Sequence, residues 1–98
     1  MIIVMAKATI AEVNMAAYLE DVRESGVVAA VREERGCVSY DVSVSGTEEG
    51  VLYINERWED FSAMQGHLKG KNMRTLAKIN GKFRVQYEAN VYSATTPL

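Results

Sequence analysis

The sequence predicts an α+β domain of the ferredoxin-like βαββαβ type: a four-stranded antiparallel sheet with helices on one face. Three patterns predict it. Runs of β-branched and aromatic residues alternate in and out, while the stretches between them carry apolar residues at three- and four-residue steps. The two middle strand-like runs are joined by turn chemistry alone, and helical stretches separate the others. With right-handed crossovers, strand, helix, strand, strand, helix pair, strand leaves the split βαβ plait as the economical topology.

The first strand is the β-branched, Met-rich run from Ile2 to Ile10. Asn14 is a good N-cap for a long amphipathic helix bearing Met15, Tyr18, Leu19, Val22, Gly26, Ala29 and Ala30 on one face. Gly26 within it marks either a kink or a close approach to the sheet. Arg32 and Arg35 followed by Gly36 supply the charge and the left-handed residue with which helices stop. Cys37 to Ser45 then alternates, with Val38, Tyr40, Val42 and Val44 on one side. Ser45 to Gly50 is turn chemistry, so Val51 to Trp58 returns as the second arm of a hairpin. Asp60 caps a short helix with Phe61, Met64 and Leu68 on one face up to Gly70, and His67 falls at the flank of that stripe. Asn72 caps a further turn or two ended by Gly81, and Val85 to Tyr92 is the last strand, with Val85, Tyr87, Ala89 and Val91 on one side.

Ninety-eight residues suit one domain, residues 1–98, with one core and no separate cofactor lobe. Eleven basic against thirteen acidic residues, with no long block of either sign, argue against a nucleic-acid partner. The mixed cluster Arg32-Glu33-Glu34-Arg35 reads as the solvated end of a helix. A lone cysteine, Cys37, without CxxC or Cys/His clusters, speaks for a reducing compartment and against a bound metal. No stretch approaches membrane-spanning length, and Met1 to Ala6 lacks a basic start, so a cytoplasmic protein is expected. The first strand is apolar on both sides, with Ile2, Val4 and Ala6 opposite Ile3 and Met5. Tyr53 adds to the face that helices leave bare, so a second copy packed sheet to sheet is expected.

Three segments together resemble the antibiotic biosynthesis monooxygenase family: Glu33-Glu34-Arg35-Gly36-Cys37-Val38-Ser39-Tyr40, then Glu56-Arg57-Trp58, then His67-Leu68. The likeness runs from the first strand to the last and is nearest to small bacterial proteins similar to quinol monooxygenases. The resemblance implies a homodimeric α+β barrel and a cofactor-independent oxidation of a small quinol-like or polycyclic phenolic substrate by dioxygen. In that chemistry the phenol loses a proton in an apolar pocket and passes an electron directly to dioxygen. The polar groups that serve the substrate in anthrone-oxidising members are replaced here by Ile54 and Met64, although the tryptophan is kept as Trp58. The working positions of the haem-degrading branch fall on Lys7, His67 and Ala77, none of which matches. Other relatives suggest an isomerase of a small phosphorylated autoinducer-type metabolite, for which Lys71, Arg74 and Lys78 are the candidate phosphate site. A non-catalytic dimeric module that binds a small apolar molecule is a third reading.

His67 and Glu56 are the candidate catalytic residues, and Trp58, Tyr40, Met64, Phe61 and Met73 the candidate substrate-binding ones. His67 is the sole histidine and titrates near neutrality unless strongly perturbed; ligand contact and a structural tie to the following loop both suit it. Glu56 shares a strand face with Leu52, Ile54 and Trp58, where a carboxylate needs a partner or a raised pKa. It is either a general base or half of a buried pair with Arg84 or with Arg57 of a second copy. Trp58 reads as a core aromatic or a pocket wall, and Tyr40, among valines, needs a hydrogen-bond partner or a cavity for its hydroxyl. Met64 and Met73 offer a pliable apolar lining. Cys37 reads as a buried small residue and not a nucleophile.

Overall fold

The computed structural model describes residues 1–94. Its strands are β1 (Ile2–Thr9), β2 (Cys37–Val44), β3 (Val51–Trp58) and β4 (Gln86–Ser93), and its helices α1 (Met15–Ser25), α2 (Val27–Arg32), α3 (Phe61–Lys69) and α4 (Lys71–Lys82). The strands form one antiparallel sheet in the order β2-β3-β1-β4, the ferredoxin-like arrangement. Among the described residues no helix is long and apolar enough to cross a membrane.

Alternation along the strands decides what the helices cover. Val4, Ala6 and Ala8 on β1 and Leu52, Ile54, Glu56 and Trp58 on β3 are all buried beneath the helices. The register aligns them in rows across the sheet: Tyr40, Glu56, Val4 and Val91 form one, and Val42, Ile54, Ala6 and Ala89 the next. Tyr18 and Val22 of α1, Val27 and Val31 of α2, Met64 of α3 and Leu76 of α4 close over these rows from above. The Tyr18 hydroxyl donates to Asn80 Oδ1 at 2.8 Å, and its ring meets Phe83 edge-on at 5.6 Å, so α1 is fastened to the end of α4 by a polar and an apolar contact. The opposite sheet face is uncovered, with Met5 and Tyr92 half exposed.

The observed elements depart from the expected ones where backbone geometry overrides side-chain pattern. The first long helix is two: Gly26 takes φ of 69°, and nothing lies within 4 Å of where its Cβ would be, so it breaks the helix and makes no close approach. Asn14 is not a side-chain cap, because a 3-10 turn over Glu12–Asn14 precedes α1 and holds Asn14 in helical backbone. Helix α2 ends at Arg32, and the left-handed Gly36 sits in the turn beyond it. Arg32 instead reaches forward, its Nε donating to the Tyr40 carbonyl at 2.9 Å and its Nη2 to Asp41 at 3.2 Å.

A register shift between Cys37 and Ser39 bulges the start of β2, which turns Val38 out to solvent and restores the alternation by Tyr40. Asp60 caps α3 as expected, accepting from the Ala63 amide at 2.8 Å. The stripe expected on α3 is rotated, however: Phe61 and Leu68 are half exposed, and Ala63, Met64 and His67 are the buried residues. Gly70, not Asn72, precedes the first turn of α4, which runs through Gly81 to Lys82. Tyr87, Ala89 and Val91 do share the helix side of β4, yet the whole strand is exposed because no helix extends over this sheet edge.

Candidate functional site

Between the helices and the inner sheet face lies a cavity of about 490 Å³, within the size range of small-molecule sites. Its floor comes from Val4, Ile54 and Ala89 of the sheet and its roof from Val22, Met73 and Leu76 of the helices. The uncovered edge at β4 leaves it open beside Tyr87 and Val91. Few polar groups interrupt this lining. Glu56, His67 and Tyr40 stand together in one part of it, and the Tyr18–Asn80 pair contributes to another.

Register explains the first group. Glu56 is opposite Tyr40 on β2 and Val4 on β1, all inward. Trp58, two residues along the same face, is fully buried at the strand end, and its indole Nε1 donates to Glu56 Oε1 at 2.9 Å. The His67 ring stacks on that indole with centroids 4.8 Å apart and 26° between planes, and it meets the Tyr40 ring edge-on at 6.1 Å. Only 2% of His67 is exposed. Its Nε2 lies 3.9 Å from Glu56 Oε1, and its Nδ1 lies 3.0 Å from Glu34 Oε2, to which the Asn72 side-chain amide also donates at 3.1 Å. The imidazole is therefore held between two carboxylates, one at the cavity and one on its far side.

Charge follows from burial. Burial holds the Glu56 carboxyl above the usual carboxylate range; the indole N–H and the nearby imidazole oppose this, while the charge of Glu34 adds to it. Desolvation and the charge of Glu56 also push the Tyr40 hydroxyl up, so it remains a neutral O–H. The Cys37 thiol is pushed up by burial and by the charges of Glu34 and Glu56, which keeps it from being a thiolate nucleophile.

The structure brings five of the seven residues singled out above to the cavity: His67, Glu56, Tyr40, Met64 and Met73. Trp58 stands behind the wall, holding Glu56 and His67. Phe61 does not join them, since the rotated α3 turns it to solvent at 54% exposure. Within the chain Glu56 does not pair with Arg84; the Trp58 indole is its hydrogen-bond partner. His67 is central to the buried face and not at its flank. Lys71, Arg74 and Lys78 are exposed and none lines the cavity, and Arg74 is engaged with the Lys69 carbonyl at 3.1 Å. Ile54, Met64 and Ala77, at positions where other branches place working groups, do line it.

Sequence reasoning missed Glu34, Tyr18, Asn80 and Tyr87. Glu34 sits in a mixed-charge run that looks solvated, and nothing in its spacing connects it with a histidine 33 residues away. Among the described residues no three His, Cys, Asp or Glu side chains cluster as metal ligands would.

A sequence model described as antibiotic biosynthesis monooxygenase matches residues 1–78. Among solved structures, one described as an antibiotic biosynthesis monooxygenase is 26% identical, with a TM-score of 0.81 and with 98% of this chain and 100% of that one covered. A Deinococcus radiodurans protein provisionally described in the same way is 23% identical, with a TM-score of 0.84 over 100% of this chain and 96% of the other. A conserved protein from Methanosarcina mazei is 18% identical, with a TM-score of 0.83 and coverage of 96% and 92%. These last two likenesses show the fold. No curated protein matches the sequence.

Proposed function

The chain belongs to the antibiotic biosynthesis monooxygenase family, and from that premise we propose that its cavity takes a flat, largely apolar phenol and oxidises it with dioxygen without a cofactor. The observation that carries the proposal is the placement of a buried carboxylate, Glu56, beside an imidazole, His67, in the wall of an otherwise apolar cavity of about 490 Å³. Met64, Met73 and Leu76 suit the flat rings of a quinol or a polycyclic phenol. Glu56, raised by burial, is a stronger base when ionised than an exposed carboxylate, and in this proposal it takes the phenolic proton. Tyr40 donates its hydroxyl to the developing oxyanion, in surroundings where such a bond is stronger than in water. The electron-rich anion then reduces dioxygen: a ring carbon bonds to one oxygen atom and gives up its hydrogen, the O–O bond breaks, and the other oxygen leaves as water with that hydrogen and one returned proton.

The absence of Lys and Arg from the cavity lining among the described residues disfavours the phosphorylated substrate. Oxygen uptake by purified protein across a panel of hydroquinones tests the proposal. Turnover is expected for at least one member, with His67→Ala slower than the parent; a panel without uptake above background would refute it. The uncovered sheet face, with Ile3, Met5, Tyr53 and Tyr92, supports a homodimer packed sheet to sheet. Sedimentation as a monomer at micromolar concentration would exclude that assembly.

A further inference from the structure

We propose that Glu56, His67 and Glu34 form a proton relay leading from the cavity to solvent, with Glu34 the positioning and exit residue at its outer end. The relay rests on the oxidation proposed above for its source of protons, while its hydrogen-bond order follows from the folded chain alone.

Glu34 Oε2 already accepts from the Asn72 amide at 3.1 Å, and a carboxylate has no hydrogen to give, so the 3.0 Å contact with His67 requires Nδ1 to be the donor. That assigns the neutral imidazole its proton at Nδ1 and leaves the Nε2 lone pair facing Glu56. The chain has a direction as a result. A phenolic O–H gives its proton to the Glu56 carboxylate, and the resulting acid passes it to His67 Nε2. The imidazolium then releases the Nδ1 proton to Glu34, which passes it to water. Each step moves one proton and leaves the ring proton at Nε2. As the O–O bond breaks the relay runs back, Nε2 returning a proton through Glu56 to the oxygen that leaves as water and Nδ1 taking one from water through Glu34, which restores the starting tautomer.

Exposure runs in the same sense: the side chains of Glu56 and His67 are 6% and 2% exposed, whereas that of Glu34 is 20% exposed. The 3.9 Å between Glu56 Oε1 and His67 Nε2 is about 1 Å beyond a direct hydrogen bond, so this step needs rotation of the carboxyl or one bridging water. The groups facing His67 are Glu56 and Trp58 from β3, Tyr40 from β2 and Glu34 from the turn after α2, with Asn72 of α4 bonded to Glu34 and the Cys37 thiol within the field of both carboxylates. Gly70 donates its amide to the His67 carbonyl at 3.1 Å, and a Cβ there would lie 4.0 Å from Glu34 Oε1. Among the described residues the one arginine at this set, Arg32, reaches the Tyr40 carbonyl and Asp41 and not the relay side chains, so the proton's charge at His67 is offset by the two carboxylates.

Two variants separate relay from scaffolding. Glu34→Gln keeps an oxygen to accept from Nδ1 but cannot take a proton, whereas Glu34→Ala removes both. In substrate-free protein, ring 15N shifts of His67 should report the Nδ1–H tautomer in the parent and in Glu34→Gln and a mixture in Glu34→Ala. Carboxyl 13C titration of Glu56 should move to lower pH in both variants, because the charge of Glu34 adds to the raised pKa of Glu56. With a hydroquinone that is turned over, both variants should lose at least about tenfold in kcat with KM within about twofold, and added acetate should restore part of the rate of Glu34→Ala. A Glu34→Gln variant as fast as the parent would overturn the exit role, and an Nε2–H tautomer in the parent would overturn the chain itself. If the parent turns over no hydroquinone, the oxidation reading fails by itself; tautomer and coupled titration then support or overturn the relay's order without it.

Discussion

Replacing Gly36 with alanine tests how the turn before β2 is seated against α3. Gly36 has φ of 78°, in the left-handed region, and a Cβ built there would overlap the Cβ of Ala63. Two costs follow: about 1–2 kcal/mol for an L-residue with this backbone, and about 1–3 kcal/mol for forcing a methyl into a packed contact. Lower chain entropy in the unfolded state offsets about 0.4–1 kcal/mol. The expected net destabilisation is about 1–4.5 kcal/mol, read as a fall in the urea midpoint at constant slope. Ala63→Gly added to Gly36→Ala removes the overlap but leaves the φ cost. A double-mutant cycle should therefore show a favourable coupling of about 1–3 kcal/mol. Strictly additive effects would refute the seating, as would a Gly36→Ala variant within 0.5 kcal/mol, roughly the scatter of neutral substitutions. The same variant should loosen the Glu34–His67 contact, because Gly36 lies two residues beyond Glu34 and its carbonyl accepts from the Glu59 amide at 2.8 Å.

Glu56→Gln should flatten the pH dependence of stability. A carboxyl whose pKa is raised on folding binds its proton more tightly in the folded chain, so its contribution is fully present below the ordinary value of 4.5 and declines as pH rises through the raised value. Chemical denaturation from pH 4 to pH 8 should show that decline in the parent and a smaller one in the glutamine variant; parallel profiles would contradict the burial argument. Ala77→Trp should block the cavity from an exposed position on α4, weakening binding of a fluorescent probe such as 1-naphthol by at least about tenfold while shifting stability by no more than about 0.5 kcal/mol. Undiminished probe affinity would move the ligand site elsewhere.

Alternation and helical spacing were enough to read the element order, the hairpin, the Asp60 cap and the inward placement of Glu56 and Trp58, because these depend on neighbours two to four residues apart. The likeness carried by Glu33 to Tyr40, Glu56 to Trp58 and His67-Leu68 agreed with the family that the comparison over residues 1–78 shows. The errors arose where periodicity was asked to do more than it can. A helix of nine residues admits more than one buried stripe, and the packing of Ala63 under Gly36 selected the rotation that buries His67 and exposes Phe61.

What this sequence determined by itself is therefore its class of fold and the strand face on which its buried carboxylate lies, since both follow from local periodicity. Only the tertiary structure decided which groups surround that carboxylate. Trp58, and not Arg84, is its hydrogen-bond partner within the chain. Glu34, 33 residues from His67, became the imidazole's second partner because the Gly36 turn closes against α3. Contacts at that separation depend on how layers pack and leave no periodic trace in the chain.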